Sequence, residues 1–371
     1  MSNNSNLHKA KKAKNDEFYT MLSDIENELR HYQEHFSDKV VYCNCDDPRW
    51  SNFVKYFQVN FDTLGLKKLI ATGYRKNCRG VKLVYDSNHK NAVLEELEGN
   101  GDFRSEECVK LLDEADIVVT NPPFSLASLY MQQLVGHGKK FLIIGNMNNV
   151  TYKEIFPLIK NNKVWLGFGT DSWYRVPDDF DDRPGVKIKD GKKYFKVKSR
   201  WFTNLDVKKR HEFLTLTEKY DPAKYPKYDN YDAINVDKVN DIPKDWDGVM
   251  GVPITFLDKY NPEQFEIVQF RKGEDGKDLA FTVEREREWC RTSGCSYGEF
   301  EKKFPLTKCI AAGMLKSGEG RINGKATYAR VLIERRKPVG ENADTPAALD
   351  RKRVVPYTRI LIKRKLKGEM I

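Results

Sequence analysis

The sequence has no run of about 18 uncharged apolar residues, the minimum for a membrane-spanning helix. Its first residues, MSNNSNLHKAKKAK, lack the apolar stretch of a secretory signal, so neither membrane insertion nor export is expected and the cytoplasm is the expected compartment. Cysteine is scarce: seven residues, an odd number scattered over 371, do not make a disulfide framework and fit a reducing compartment. Cys290, Cys295 and Cys309 lack both a paired C-x-x-C spacing and a nearby histidine, so no metal is expected.

What remains is a chain with 40% hydrophobic residues, enough for one large domain and a smaller partner. The net charge of +10 is unevenly spread. Residues 1–14 carry +4 through Lys9, Lys11, Lys12 and Lys14, and residues 321–371 carry +9, leaving a body of −3 between two basic ends. Basic ends on a slightly acidic body suit a polyanion, although such tails are also often simply solvated.

Phe18, Met21, Leu22, Ile25 and Leu29 fall at helical spacing and predict a helix from near Asp16 to about Phe36. Short apolar runs then alternate with helical stretches: strands are expected at 40–45, 68–72, 81–85, 117–120, 141–145 and 164–168. That alternation predicts an α/β fold with a mostly parallel sheet, which binds ligands at the carboxyl ends of its strands. Residues 169–200 read as a long loop or hairpin insertion, followed by a late strand near 200–206. Beyond about 207 the pattern is less regular, and 322–337 and 355–365 read as two basic strands.

The most informative stretch is DIVVTNPPF, residues 116–124. An exocyclic adenine amine is nearly planar and weakly nucleophilic, so its enzyme must accept its hydrogens and fix its lone pair toward an electrophile. The Asn121 side-chain oxygen and Pro122 carbonyl are suitable acceptors; Pro122 and Pro123 stiffen the loop, and Phe124 offers a ring on which an extruded base can stack. An isolated N-P-P is an ordinary turn. Here it ends an apolar strand about 75 residues after another, Val40 to Cys45, which leads into Asp46-Asp47-Pro48. Acidic groups there suit a ribose or an amine, or simply cap the helix at 50–59; Asp102-Phe103 offers another carboxylate and ring, and Asp102 is equally an N-cap.

These points, with Phe18-Tyr19-Thr20 ahead of them, resemble gamma-class amino-methyltransferases, in which an F-Y-T-P-like element precedes D-P-x-x-G-S-G-N-F and N-P-P-F. More narrowly, LHKAKKAKNDEFYT, HFSDKVVYCNCDDPRWSNFVKYF, GDFRSEE, DIVVTNPPFS, YPKYDNYDAINV and INGKATYARVLI are similar to the EcoRI-type adenine-specific DNA methyltransferases. The similarity covers residues 7–275 and returns near 322. It implies a Rossmann-like S-adenosyl-L-methionine-dependent sheet, with Phe18, Tyr19 and Thr20 at the cofactor's methionine end. It also implies that Asp46, Asp47 and Pro48 form the cofactor turn, that Asp102 and Phe103 lie on its adenine side, and that Asn121 to Phe124 are catalytic. The chain departs from the pattern after Pro48, where Arg49-Trp50-Ser51-Asn52-Phe53 has no glycine, and no acid ends the strand at 68–72.

The expected organisation is a basic arm over 1–14, a catalytic domain over 15–210 and a target-recognition region with a basic end over 211–371. Phosphates of double-stranded DNA are expected at Lys9, Lys11, Lys12 and Lys14 and at Arg335, Arg336 and Lys337. The resemblance implies methylation of N6 of a flipped adenine by a bacterial or phage-encoded enzyme of a restriction-modification system, for which a cognate endonuclease is a possible partner; a monomer is expected. The family's site is GAATTC, and because 276–321 and 338–371 lie outside the similarity the expectation leaves open both a GAATTC-like site and a different one. Two alternatives share the sequence features: the same chemistry on RNA adenines or protein glutamines, and a nucleic-acid-binding relic of the fold without cofactor.

Overall fold

A computed structural model of the chain describes residues 19–86, 92–169, 172–178, 180, 184–228 and 231–269, with the strand backbones at 320–322, 325–327 and 330–334. Its contacts divide the chain into two compact units, Met1–Val150 with Lys163–Val207, and Thr151–Asn162 with Lys208–Ile371. Among the described residues no helix is long and apolar enough to cross a membrane.

The first unit is built on strands β1 (Val40–Cys43), β2 (Lys68–Gly73), β3 (Val81–Asp86), β4 (Val93–Glu96), β5 (Ile117–Thr120), β6 (Lys140–Asn146), β7 (Trp165–Leu166) and β11 (Ser199–Thr203). Their order is β4-β3-β2-β1-β5-β6-β11-β7. The central strands β2, β1, β5 and β6 are parallel, while β3 and β11 run against their neighbours. Helices α1 (Leu22–Leu29), α2 (Asn52–Val59), α3 (Phe61–Leu64), α4 (Glu106–Glu114) and α5 (Ala127–Gly136) accompany them. The crossovers β1–α2–α3–β2, β4–α4–β5 and β5–α5–β6 make the sheet Rossmann-like. All four residues of β1 and of β5 are buried, as their unbroken apolar runs require of inner parallel strands.

Two expectations are corrected here, and one strand direction is added. Among the described residues the helix expected from near Asp16 begins at Leu22, because the backbone of Tyr19 is engaged elsewhere: its N–H donates to the Arg175 carbonyl (2.8 Å) and its carbonyl accepts from Arg175 (3.2 Å). β3 is antiparallel to β2, since the connection over 74–80 is too short for a crossover. The region 320–334 contains not one strand but β16 (Gly320–Ile322), β17 (Lys325–Thr327) and β18 (Arg330–Glu334). Residues 355–365, expected as a strand, lie outside the described residues.

The 169–200 insertion is a three-stranded antiparallel sheet, β8 (Ser172–Arg175), β9 (Val186–Lys189) and β10 (Lys192–Val197), in the order β8-β10-β9. The two-residue turn between β9 and β10 is Asp190-Gly191, both at positive φ (50° and 69°), which is the sequence that a tight hairpin turn demands.

The second unit carries a five-stranded sheet, β12 (Lys227–Tyr228), β13 (Tyr231–Asn235), β14 (Val249–Pro253), β18 and β15 (Glu266–Gln269), in that order. Ile234, Met250, Val252, Phe256 and Phe265 are buried in this unit. Tyr225 is also buried and donates its hydroxyl to the Asp241 carbonyl (2.8 Å), so this tyrosine of the 225–235 stretch packs.

Candidate active site at the carboxyl edge of the sheet

The chain leaves β1 at Cys43 and β5 at Thr120, and the two exits are tied together. Asp46 is buried and accepts from the Thr120 hydroxyl, from the Ser51 hydroxyl (2.7 Å) and from the backbone N–H of Asn121 (3.4 Å). Thr120 also accepts from the Cys45 N–H (3.0 Å), and Ser51 caps α2 by accepting from the Phe53 N–H (3.1 Å). Burial pushes the Asp46 carboxyl up to about 6, against the opposing pull of these hydrogen bonds.

Asn121 is fixed from a second side. Its side-chain nitrogen donates to the Thr20 hydroxyl (3.2 Å), and the Thr20 carbonyl accepts from Asn52 of α2 (2.8 Å). Tyr19 meets the Trp50 ring edge-on at 4.7 Å. Tyr19, Thr20, Asp46, Asp47 and Asn121, far apart in sequence, therefore share one neighbourhood. Pro122 is buried, and the Pro123 carbonyl accepts from Leu126 (2.8 Å), turning the chain into α5 at Ala127. Phe124 is only 7% exposed, with its ring at 6.0 Å and 84° from Tyr174.

Asp47 and Asp102 are held by the same device. Each carboxylate accepts from the backbone N–H and the side chain of the arginine two positions on, Arg49 and Arg104. Burial works to raise the Asp47 carboxyl, but the hydrogen bonds from Arg49 outweigh it and hold the group below its ordinary value. The Arg104 hydrogen bonds hold Asp102 below its ordinary value as well. Phe103 packs edge-on against Tyr130 (4.8 Å). The repeated Asp-x-Arg at 47–49 and 102–104 is visible in the sequence and could have flagged both clamps.

The glycines missing after Pro48 are replaced by others that sequence reasoning overlooked. A Cβ on Gly73, at the end of β2, would lie 2.7 Å from the Asp47 Cα, and one on Gly101 would lie 2.6 Å from the Gly73 carbonyl oxygen. The turns after β1, β2 and β4 thus stack backbone on backbone, and Arg75 N–H donates to the Asn100 carbonyl (2.9 Å). Beneath them Tyr42, Asn44 and Thr72 share buried hydrogen bonds of 2.9 Å. Phe18, Lys9, Lys11, Lys12, Lys14, Arg335, Arg336 and Lys337 lie outside the described residues, as do Cys290, Cys295 and Cys309.

The donor set suits a nucleoside bearing a cationic sulfur: clamped carboxylates for hydroxyl and amine hydrogens, aromatic rings nearby, and turns close enough to expose backbone groups. No solved structure matches the chain. Its sequence matches the family described as adenine-specific methyltransferase EcoRI over residues 6–365. Among curated relatives, the type II methyltransferase M.EcoRI of Escherichia coli is 54% identical, across 74% of this chain and 91% of the relative. M.MgeORF184P of Mycoplasma genitalium is 38% identical, across 89% and 99%, and M.MpnI of Mycoplasma pneumoniae is 44% identical, across 71% and 84%; both are also type II methyltransferases. With 360 consecutive positions matched and the N-P-P-F loop braced at the carboxyl edge of a Rossmann-like sheet, the chain belongs to the EcoRI-type adenine-specific methyltransferase family.

Proposed function

We propose that this protein methylates N6 of a target adenine in double-stranded DNA, as the modification enzyme of a type II restriction-modification system. The observation that carries the reading is the double bracing of Asn121, through its backbone by Asp46 and through its side chain by Thr20. An amine whose lone pair is spread into a ring is activated by rigid acceptors for its hydrogens. The Asn121 oxygen and the Pro122 carbonyl take that role for a base extruded from the duplex, and Phe124 is its stacking partner. S-adenosyl-L-methionine supplies the electrophilic methyl group when bound. Asp47 and Asp102 would accept hydrogens from its hydroxyl and amine groups, Phe103 would lie on its adenine side, and Phe18, Tyr19 and Thr20 would line its methionine end. The amine nitrogen would take the methyl carbon directly as the methyl–sulfur bond breaks, with S-adenosyl-L-homocysteine leaving and the amine proton passing to solvent, so no cysteine nucleophile is required.

Residues 1–14 act as a basic arm, 15–210 bind cofactor and catalyse, and 211–371 recognise the target. The lysines of the arm and Arg335, Arg336 and Lys337 contact phosphates, which position the enzyme without reading sequence. The enzyme works as a monomer, one adenine at a time, and protects its site from a cognate endonuclease.

The test is incubation with radiolabelled S-adenosyl-L-methionine and unmethylated genomic DNA, followed by nucleoside analysis and site mapping. Label in N6-methyladenine at one short sequence is the expected result. Label only in RNA or protein overturns the DNA assignment, and absence of saturable cofactor binding overturns the enzyme.

A further inference from the structure

The two faces of the 172–197 insertion differ in a way that its place in the first unit does not explain. Residues opposite one another in an antiparallel pair point to the same side. The pairs Lys187↔Tyr194, Lys189↔Lys192, Tyr194↔Arg175 and Lys196↔Trp173 therefore define one face, and Val186↔Phe195 and Tyr174↔Phe195 define the other. The second face is the anchor: Tyr174 and Val197 belong to the core of the first unit, and Phe195 packs against it. Among the described residues the first face has no such core contact. Lys187, Lys189, Lys192 and Lys196 are exposed, and Trp173 and Tyr194 are half-buried between them.

The Lys187 ammonium lies 4.4 Å from the centre of the Trp173 ring, so the aromatic holds a lysine stem in place rather than serving the core. None of the four lysines has a carboxylate partner among the described residues. The described acids of the insertion are Asp178, ahead of β9, and Asp190, which is consumed in the hairpin turn. At its inner end the same face reaches the active site, because Arg175 exchanges both backbone hydrogen bonds with Tyr19, next to the Thr20 that holds Asn121. A Lys187-to-Arg175 track would be a costly concentration of like charge for a surface meeting only water.

We infer that this face of the insertion is a phosphate-binding surface that carries the backbone of the duplex toward Asn121. The inference rests on the DNA reading above and adds a contact surface within the catalytic unit itself, separate from the basic ends of the chain. Lysines spaced along two neighbouring strands, with rings interleaved, suit a sugar-phosphate backbone. They make point contacts to phosphates with no base-reading geometry, so they contribute affinity and register but not sequence choice.

The experiment compares full-length protein with a variant carrying Lys187→Gln, Lys189→Gln, Lys192→Gln and Lys196→Gln. A charge-matched control carries Lys39→Gln, Lys55→Gln, Lys67→Gln and Lys110→Gln, all exposed positions away from the insertion. Duplex binding is followed by anisotropy as a function of salt, alongside calorimetric cofactor binding and methyl transfer at saturating DNA. Each lost phosphate contact removes about 0.9 from the slope of log K against log salt, so the insertion variant is expected to lose about 3 to 4. Its cofactor affinity and its rate at saturating DNA are expected to stay within about twofold of wild type, and the control to keep the wild-type slope. Independently of any variant, duplex DNA should protect these four lysines of the wild-type protein from acetylation, read by mass spectrometry. A steep wild-type slope that the insertion variant shares, with no protection at Lys187 to Lys196, overturns this inference alone. Wild-type protein that neither binds duplex nor labels it overturns the DNA reading as well.

Discussion

The Asp46 carboxylate accepts the backbone N–H of Asn121 at 3.4 Å across 75 positions of sequence, and in doing so joins the first loop of the sheet to the N-P-P-F loop. Asp46 also holds the Thr120 and Ser51 hydroxyls, so β1, β5 and the start of α2 converge on one buried carboxyl group. It is a buried brace that accepts from three donors inside the protein. Asp47 beside it is paired instead with Arg49, through the arginine's backbone N–H and its side chain.

Asp46 gives the enzyme a pH signature. Its folded value of about 6 lies above the ordinary carboxylate value of 3.8, so the native state binds the proton more tightly than the unfolded chain. Stability from this group is therefore fully present below about pH 4, declines as pH rises through about 6, and is then lost, by on the order of 3 kcal/mol. Asp46→Asn should flatten the stability profile between pH 4 and 7 in denaturant titrations. The acceptor role works in the other direction, since both oxygens of Asp46 accept and protonation turns one of them into a donor. Single-turnover methylation should fall below pH 6 in the wild type and lose that step in Asp46→Asn. A variant that retains the step assigns it to another group.

Asn121→Ala removes an acceptor required only as the amine becomes tetrahedral, so turnover should fall by about 100- to 1,000-fold with DNA affinity nearly intact. Thr20→Val keeps Asn121 but removes the hydroxyl that orients its side chain, and should cost about tenfold in turnover, one hydrogen bond's worth, with little change in DNA KM. Equal turnover in Thr20→Val and wild type would release Thr20 from this positioning role.

The contrast between Asn121 and Phe18 to Thr20 indicates what sequence can carry. β5 was legible to the residue because an inner parallel strand is an unbroken apolar run, and its loop was legible because two prolines and an asparagine are unusual chemistry at a strand end. The braces were not. Nothing local in Thr20 or Asp46 announces a partner 101 or 74 positions away, because a polar side chain gains its role from the fold that buries it. The helix over 16–36 failed for a related reason: the apolar spacing of Phe18 and Met21 is helical, but the pairing of Tyr19 with Arg175 is tertiary and overrides it. The antiparallel β3 was a matter of counting the connection rather than of propensity.

Phe124 is almost fully covered and sits edge-on to Tyr174, so its packing and stacking roles must be separated. Phe124→Ala would confound them, at a cost of about 3–5 kcal/mol from the cavity alone. Phe124→Leu keeps apolar bulk and removes the π face, and should cost less than about 1.5 kcal/mol. With 2-aminopurine at the target position, loss of stacking should brighten its fluorescence in the complex and lower turnover. Unchanged fluorescence and turnover in a stably folded Phe124→Leu would reduce the residue to a packing element.

Gly101 tests the stacked turns. Its φ of +81° disfavours any side chain, and a Cβ there would meet the Gly73 carbonyl oxygen at 2.6 Å and the Tyr74 Cα at 3.2 Å, atoms that cannot rotate away. Gly138 supplies the comparison: its φ is +64°, yet a Cβ would meet nothing within 4 Å. Gly138→Ala should therefore cost only the conformational penalty, about 1 kcal/mol, and leave cofactor binding unchanged. Gly101→Ala must in addition push the 99–103 turn off the end of β2, moving Asp102 away from the edge that Asp47 shares. Its stability loss should exceed that of Gly138→Ala by about 1–3 kcal/mol, and its affinity for S-adenosyl-L-methionine should fall more than tenfold by about the same energetic measure. Equal affinity in the two variants would mean that the close approach of these turns serves folding and not the cofactor.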